Sequence, residues 1–235
     1  MFLRVHRLAA HAMPGTPHNL VDLRRMLAER FPAAHSVRPA RDGVVWPTGV
    51  PGFDGFLRGL PEGEITEVVG DGPGSGTAQL VHALLARTAA DGRFLALVDG
   101  ADSFDVDAAD PKVLSRLLWV RCRRVDEALK ATDLLLRDRN VPLVVLDLKA
   151  NPASQLRKVP SSVWHRYGRI AEHQGTTLLV VTPFAMVGAT ALRVEMRAGL
   201  GWEDLQDGPA TVAARLRIRV VRAAEESAGE RAAAG

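Results

Sequence analysis

An apolar run that breaks into a glycine-rich loop constrains this chain more than any other feature: EITEVVGDGPGSGTAQL, residues 64–80. A strand that ends in closely spaced glycines and restarts as a helix leaves backbone N–H groups free at the helix N-terminus. That arrangement wraps phosphate oxygens. The layout is that of a P-loop, but the residues depart from it. In G-x-x-x-x-G-K-[ST] a lysine neutralises phosphate and a hydroxyl holds Mg²⁺. Here Gly70 and Gly76 enclose five residues rather than four, and Thr77 and Ala78 stand where the lysine and hydroxyl belong. The candidate nucleotide-binding residues are Gly70, Gly72, Gly74, Ser75, Gly76 and Thr77. Ser75 or Thr77 can supply a hydroxyl if the longer loop shifts register.

From residue 65 onward, apolar segments alternate with amphipathic ones, the signature of an α/β domain with a mostly parallel sheet and helices on both faces. The pattern predicts strands at 65–69, 94–98, 117–120, 143–146 and 177–181, and helices at 77–88 and 125–136. Leu80, Val81, Leu84 and Leu85 mark the inner face of the first helix, and Val125, Leu129, Thr132 and Leu136 that of the second. Antiparallel strands are expected toward the C-terminus. There Arg215, Arg217 and Arg219 alternate with Leu216, Ile218 and Val220, giving a strand with one arginine face. The α/β domain is assigned to 46–222. Before it, residues 1–45 read as a proline-punctuated arm with one helix, capped by Asn19, whose Leu20, Leu23 and Leu27 share a face that packs on its own domain or docks on a partner. The tail at 223–235 lacks large apolar residues and is expected to be disordered.

A chain of 235 residues, 47% apolar, can bury a full core. Its net charge of +3 hides an asymmetry, since residues 149–222 hold eleven Lys or Arg against five Asp or Glu. Such an excess suits a polyanion, and equally a surface kept soluble by arginine. The single cysteine, Cys122, excludes an internal disulfide and reads as a small buried residue. No apolar run reaches membrane-spanning length. These features point to a cytoplasmic protein without a membrane partner.

The apolar stretch 143–146 ends at Asp147, which looks like a Walker B carboxylate delivered to the strand's C-terminal edge, where Mg²⁺ of a bound nucleotide would sit. Asp147 is thus a candidate catalytic and Mg²⁺-binding residue; the alternative is a cap for the next helix. Asp99, Asp102, Asp105, Asp107 and Asp110 lack the pattern of a calcium loop and read as caps and turn contacts. His6, His11 and His18 have no metal-ligand spacing.

A resemblance joins these features. TGVPGFDGFLRGLPEGEITEVVG, residues 48–70, resembles the segment leading into the P-loop of RecA recombinases. LVDGADSF resembles the RecA strand carrying the catalytic glutamate, and LSRLLWVRCRRVDEALKATDLLL the strand and helix before Walker B. The likeness spans residues 46–222 and implies a RecA-like P-loop NTPase core. With its eroded loop and short length, the chain is most similar to the ImuA family. That family accompanies ImuB and the error-prone polymerase DnaE2 in damage-induced translesion DNA synthesis, part of the SOS response.

The resemblance implies an accessory or adaptor protein whose partners are ImuB, RecA, DnaE2 and single-stranded DNA, with ATP and Mg²⁺ as cofactors and little or no hydrolysis. The glutamate position falls on Ala101, with Asp102 one residue late as a substitute. RecA-like domains present DNA on the loops after Walker B and after the following strand, here 149–167 and 183–197. Lys149, Arg157, Lys158, Arg166 and Arg169 are the candidate phosphate contacts, and Trp164 and Tyr167 are rings for base stacking or, alternatively, for the core. Two further readings are a DNA-stimulated ATPase of the RecA group and a single-strand DNA-binding module.

Overall fold

The computed structural model describes residues 45–138, 140–197 and 200–223. The expected arm helix with Leu20, Leu23 and Leu27 lies outside them, as do residues 224–235 of the expected tail.

A short antiparallel ribbon, β1 (Val45–Trp46) with β2 (Leu60–Pro61), brackets helix α1 (Pro51–Leu57). The TGVPGFD segment earns its residues locally. Asp54 accepts from the Thr48 amide and hydroxyl, both at 2.8 Å, and from the Gly49 amide at 2.9 Å, pinning the turn that feeds Pro51 into the helix.

Seven further strands make one sheet: β3 (Ile65–Gly70), β4 (Leu95–Asp99), β5 (Leu117–Arg121), β6 (Leu143–Asp147), β7 (Thr177–Thr182), β8 (Leu192–Met196) and β9 (Ile218–Ala223). Their order is β5-β4-β6-β7-β3-β8-β9, parallel throughout except for β9. Every residue of β3, β4 and β7 is buried, as strands covered on both faces require. Pleating sends alternate side chains to opposite faces. Val68, Leu95, Leu97, Leu143, Val145, Leu179 and Val181 form one core with Leu80, Leu84 and Leu85 of α2 (Thr77–Ala90). Ala96, Val98, Val144, Leu146, Leu178 and Val180 form the other. That second core is completed by α4 (Val125–Asp138) and α6 (Ser161–Gln174); two short helices, α3 (Pro111–Leu114) and α5 (Ala153–Leu156), lie in the connections. On α4 the inward residues are Val125, Ala128, Thr132 and Leu136. Cys122 is buried, its thiol pushed up by burial.

Two sequence expectations need correction near the C-terminus. Antiparallel strands were expected toward the C-terminus and 183–197 as a loop, yet β8 forms within that stretch and pairs parallel with β3, so that in this sheet only β9 runs antiparallel. The reason is a carboxylate inside the sheet. Nine residues link Thr182 to Leu192, fewer than a helical crossover needs, so the chain returns through a loop of bends and a turn. Glu67, fully buried on β3, accepts from the Met186 amide at 2.7 Å, the Val187 amide at 3.1 Å and the Thr182 hydroxyl at 3.1 Å, and pairs with Arg193 of β8. The return segment's polar backbone is therefore satisfied without helix formation.

The second correction concerns the arginine strand, which begins later than expected. Arg215 ends helix α7 (Pro209–Arg215), where it pairs with Asp204 and Asp207; Gly208 and Pro209 start that helix and displace the strand to Ile218. Arg217 and Arg219 remain exposed beside it.

Candidate functional site

Asp99, Asp147, Thr182 and Gly70 end the adjacent strands β4, β6, β7 and β3 along the sheet's carboxyl edge, with Asp99 and Asp147 directly paired and Thr182 one residue beyond Val181, the partner of Asp147. Ligands of open α/β sheets bind at this edge. The glycine-rich loop springs from it and runs directly into α2, whose N-cap is Gly76 with φ +86°. Gly72 and Gly74 are also left-handed, at φ +73° and +68°. At Gly74 a side chain would meet the Leu200 carbonyl at 2.5 Å, and the Leu200 amide bonds back to the Gly74 carbonyl at 3.1 Å, so the loop is braced from its far side.

Residues 71–74 are exposed, whereas Ser75, Gly76 and Thr77 turn inward and are buried. The hydroxyls of Ser75 and Thr77 lie 3.5 Å apart. Gly70 faces them closely: a Cβ there would meet Thr77 Cγ2 at 2.6 Å, Ser75 Oγ at 2.7 Å and Lys149 Nζ at 2.8 Å. The six nucleotide-site candidates named from the sequence thus form one continuous strand end, loop and helix start.

Lys149 was expected to contact DNA. The structure carries its side chain into the glycine loop, where Nζ donates to the Gly72 carbonyl at 2.9 Å and to the Ser75 hydroxyl. Burial pulls its ammonium below the usual lysine range, while Asp147 and Asp71 oppose that. Asp147, two residues earlier, is half-buried and accepts from the Lys149 amide at 2.9 Å. Burial raises its carboxyl to about 6, against the lowering effect of that amide, with Asp99 pushing further upward and the Lys149 ammonium downward.

The other carboxylates are committed to structure. Asp99 accepts from the amides of Ala101, Ser103 and Phe104 at 3.3, 3.0 and 2.8 Å, and from Trp119 Nε1 at 3.3 Å. Asp102, the substitute for the missing glutamate at Ala101, forms a two-pronged pair with exposed Arg121 at 2.6 and 2.9 Å; the pair holds its carboxyl below the usual range. Asp105 and Asp110 accept from the Asp107 and Lys112 amides, the turn and cap roles read from the sequence.

Arg157 stacks over Phe184, with 4.7 Å from its guanidinium carbon to the ring centroid; Arg166 reaches across to Asp133 of α4 at 3.0 Å; Lys158 and Arg169 are exposed at separate points on α5–α6. Base stacking on Trp164 and Tyr167 is ruled out, because both rings are buried in the core beneath α6, and the Tyr167 hydroxyl donates to the Leu129 carbonyl at 2.5 Å. Helical spacing explains this: positions 164, 167 and 171 share the inward face. One third of the second expected DNA loop, 183–197, is strand β8.

Sequence reasoning passed over Glu67 and Asn151. A lone carboxylate inside the run ITEVVG was the available signal, since a charge on a fully covered strand needs a partner. Asn151 is buried and donates to the Gly100 carbonyl at 2.7 Å, tying the β4 and β6 ends together. A nucleotide's Mg²⁺, an ion that keeps waters and takes few protein oxygens, would find its oxygen donors on this edge in Asp147 and in the hydroxyls of Ser75 and Thr77, of which Ser75 already accepts from Lys149. Among the described residues no group of three or more His, Cys, Asp or Glu side chains is placed to hold a metal by itself. None of the described helices is long and apolar enough to cross a membrane. Compared with models of known families the chain matches none, and no curated protein matches it.

Proposed function

We propose that this chain is a RecA-like domain of the ImuA type, an accessory protein of damage-induced translesion DNA synthesis. It holds nucleotide phosphate without efficient turnover and works through contacts with ImuB, RecA, DnaE2 and DNA. One observation carries the reading. The glycine loop joins β3 to α2 one strand away from the end of the Asp147 strand, with β7 between them, and by the resemblance Thr77, Ala78 and Ala101 stand where the lysine, the Mg²⁺ hydroxyl and the glutamate would be.

Phosphoryl transfer relies on charge stabilisation and on a positioned group that orients the attacking water. The cradle keeps backbone donors, two inward hydroxyls and Asp147, which support binding. Turnover lacks support: Asp99 is consumed by the 101–104 turn and Asp102 by Arg121. The ATPase reading therefore ranks behind the adaptor. The separate DNA-module reading loses its stacking rings to the core.

The test combines calorimetry with ATP and Mg²⁺, a turnover assay with and without single-stranded DNA, and capture of purified ImuB and RecA on the full chain. Binding of nucleotide and of ImuB with no DNA-stimulated hydrolysis is the expected result. A robust ATPase abolished by Asp147→Ala would replace the adaptor with an enzyme, and failure to retain either protein would remove the adaptor role.

A further inference from the structure

We propose that Lys149 supplies, from the end of β6, the phosphate-neutralising charge that the glycine loop lacks at Thr77. The inference rests on the phosphate-binding reading of the loop and assigns the residue that completes it. Lys149 is 77 residues from Gly72 and 74 from Ser75 along the chain, yet its ammonium bonds to both. It also stands 2.8 Å from where a Cβ on Gly70 would lie, so a side chain at that strand end would push the ammonium from its place.

The partners of this ammonium are a carbonyl and a hydroxyl, with Asp147 and Asp71 acting on it only through space. A half-buried cation held by neutral acceptors is incompletely compensated, and among the described residues its hydrogen bonds use two of its three donors, leaving the third for an anion. The geometry also accounts for the altered loop. Once the cation comes from another strand, the loop needs no lysine after its last glycine and tolerates the extra residue between Gly70 and Gly76. The ligand class that fits the N–H donors of the loop, this ammonium, two hydroxyls and the Asp147 carboxylate is the Mg²⁺-bound polyphosphate of a nucleoside di- or triphosphate.

The experiment measures affinity of the full chain for inorganic tripolyphosphate and for ATP with Mg²⁺, using the parent, Lys149→Met, the double variant Thr77→Lys with Lys149→Met, and Lys130→Met as a surface control. Lys149→Met is expected to weaken both ligands about ten- to a hundred-fold, the magnitude of one lost charged hydrogen bond. The double variant is expected to regain much of that loss, and Lys130→Met to match the parent. Equal or tighter binding by Lys149→Met overturns the proposal, because the ammonium would then only tie down or block the loop.

Tripolyphosphate binding that depends on Lys149, without ATP binding, would remove the nucleotide from the functional reading and leave this inference standing. A parent that binds neither removes both. Should Lys149→Met fail to fold, amine acetylation of the parent read by mass spectrometry decides: tripolyphosphate is expected to shield Lys149, and unchanged labelling overturns the assignment.

Discussion

Asp99 and Asp147 end neighbouring strands and face each other in the β4–β6 register, but their surroundings differ sharply. Asp99 is 1% exposed and collects three backbone amides, the Ser103 hydroxyl and an indole N–H. Among the described residues Asp147 has a single backbone donor, and burial drives its carboxyl up to about 6. A buried carboxylate whose lone pairs are filled by the chain is a structural element. One whose charge is left under-satisfied at a strand end, beside a cation and a phosphate-type loop, is where an added ligand has most to contribute.

The largest expected effect falls on the filled site. Asp99→Ala strands the amides of residues 101, 103 and 104 and frees the Trp119 indole, which is expected to cost about 3–5 kcal/mol in denaturant unfolding. A loss below about 1 kcal/mol would show that water replaces the carboxylate and would erase the contrast with Asp147.

Next comes Asp147→Asn, where the sign reverses. The folded chain holds this proton more tightly than the unfolded chain, whose carboxyl titrates near 3.8, so ionisation between roughly pH 4 and 6 lowers stability. Below that window the penalty is absent, and above it the penalty is complete. The asparagine variant is expected to gain on the parent across this window, by up to about 3 kcal/mol, and to keep a constant lead above it. Unfolding curves at pH 4, 5, 6 and 7 read the gap directly. A gap that stays the same at every pH would mean that Asp147 is not strained by burial.

How much of this was legible beforehand follows from where the determining interactions lie. The five expected strands each appear within a residue or so, because their apolar runs are covered on both faces and that pattern is local. The loop and Asp147 were also readable, as a glycine cluster and a carboxylate after an apolar run. The parallel pairing of β8 was not, since it depends on Glu67 reaching the amides of Met186 and Val187 some 120 residues away. Lys149 was recognised as a cation, but its direction toward the loop rather than a DNA groove follows from the β3–β7–β6 adjacency, which no local pattern encodes. Trp164 could be assigned to the core by helical phase, whereas the Arg166 pairing with Asp133 required α4 and α6 to be neighbours.

The smallest expected effect belongs to a third carboxylate, which sharpens the comparison from outside it. Asp102 sits at φ +54° on an exposed turn and pairs with Arg121, which itself lies over the Trp119 ring at 4.7 Å. Asp102→Gly removes a solvent-screened ion pair but relieves a left-handed backbone that non-glycine residues seldom adopt, two changes of opposite sign. The unfolding midpoint at neutral pH is expected to stay within error of the parent, and ATP affinity to be unaffected. Were this variant instead to lose a measurable nucleotide turnover, Asp102 would be the displaced catalytic carboxylate. The line between structural and available acids on this sheet edge would then have to be redrawn to include the turn after β4.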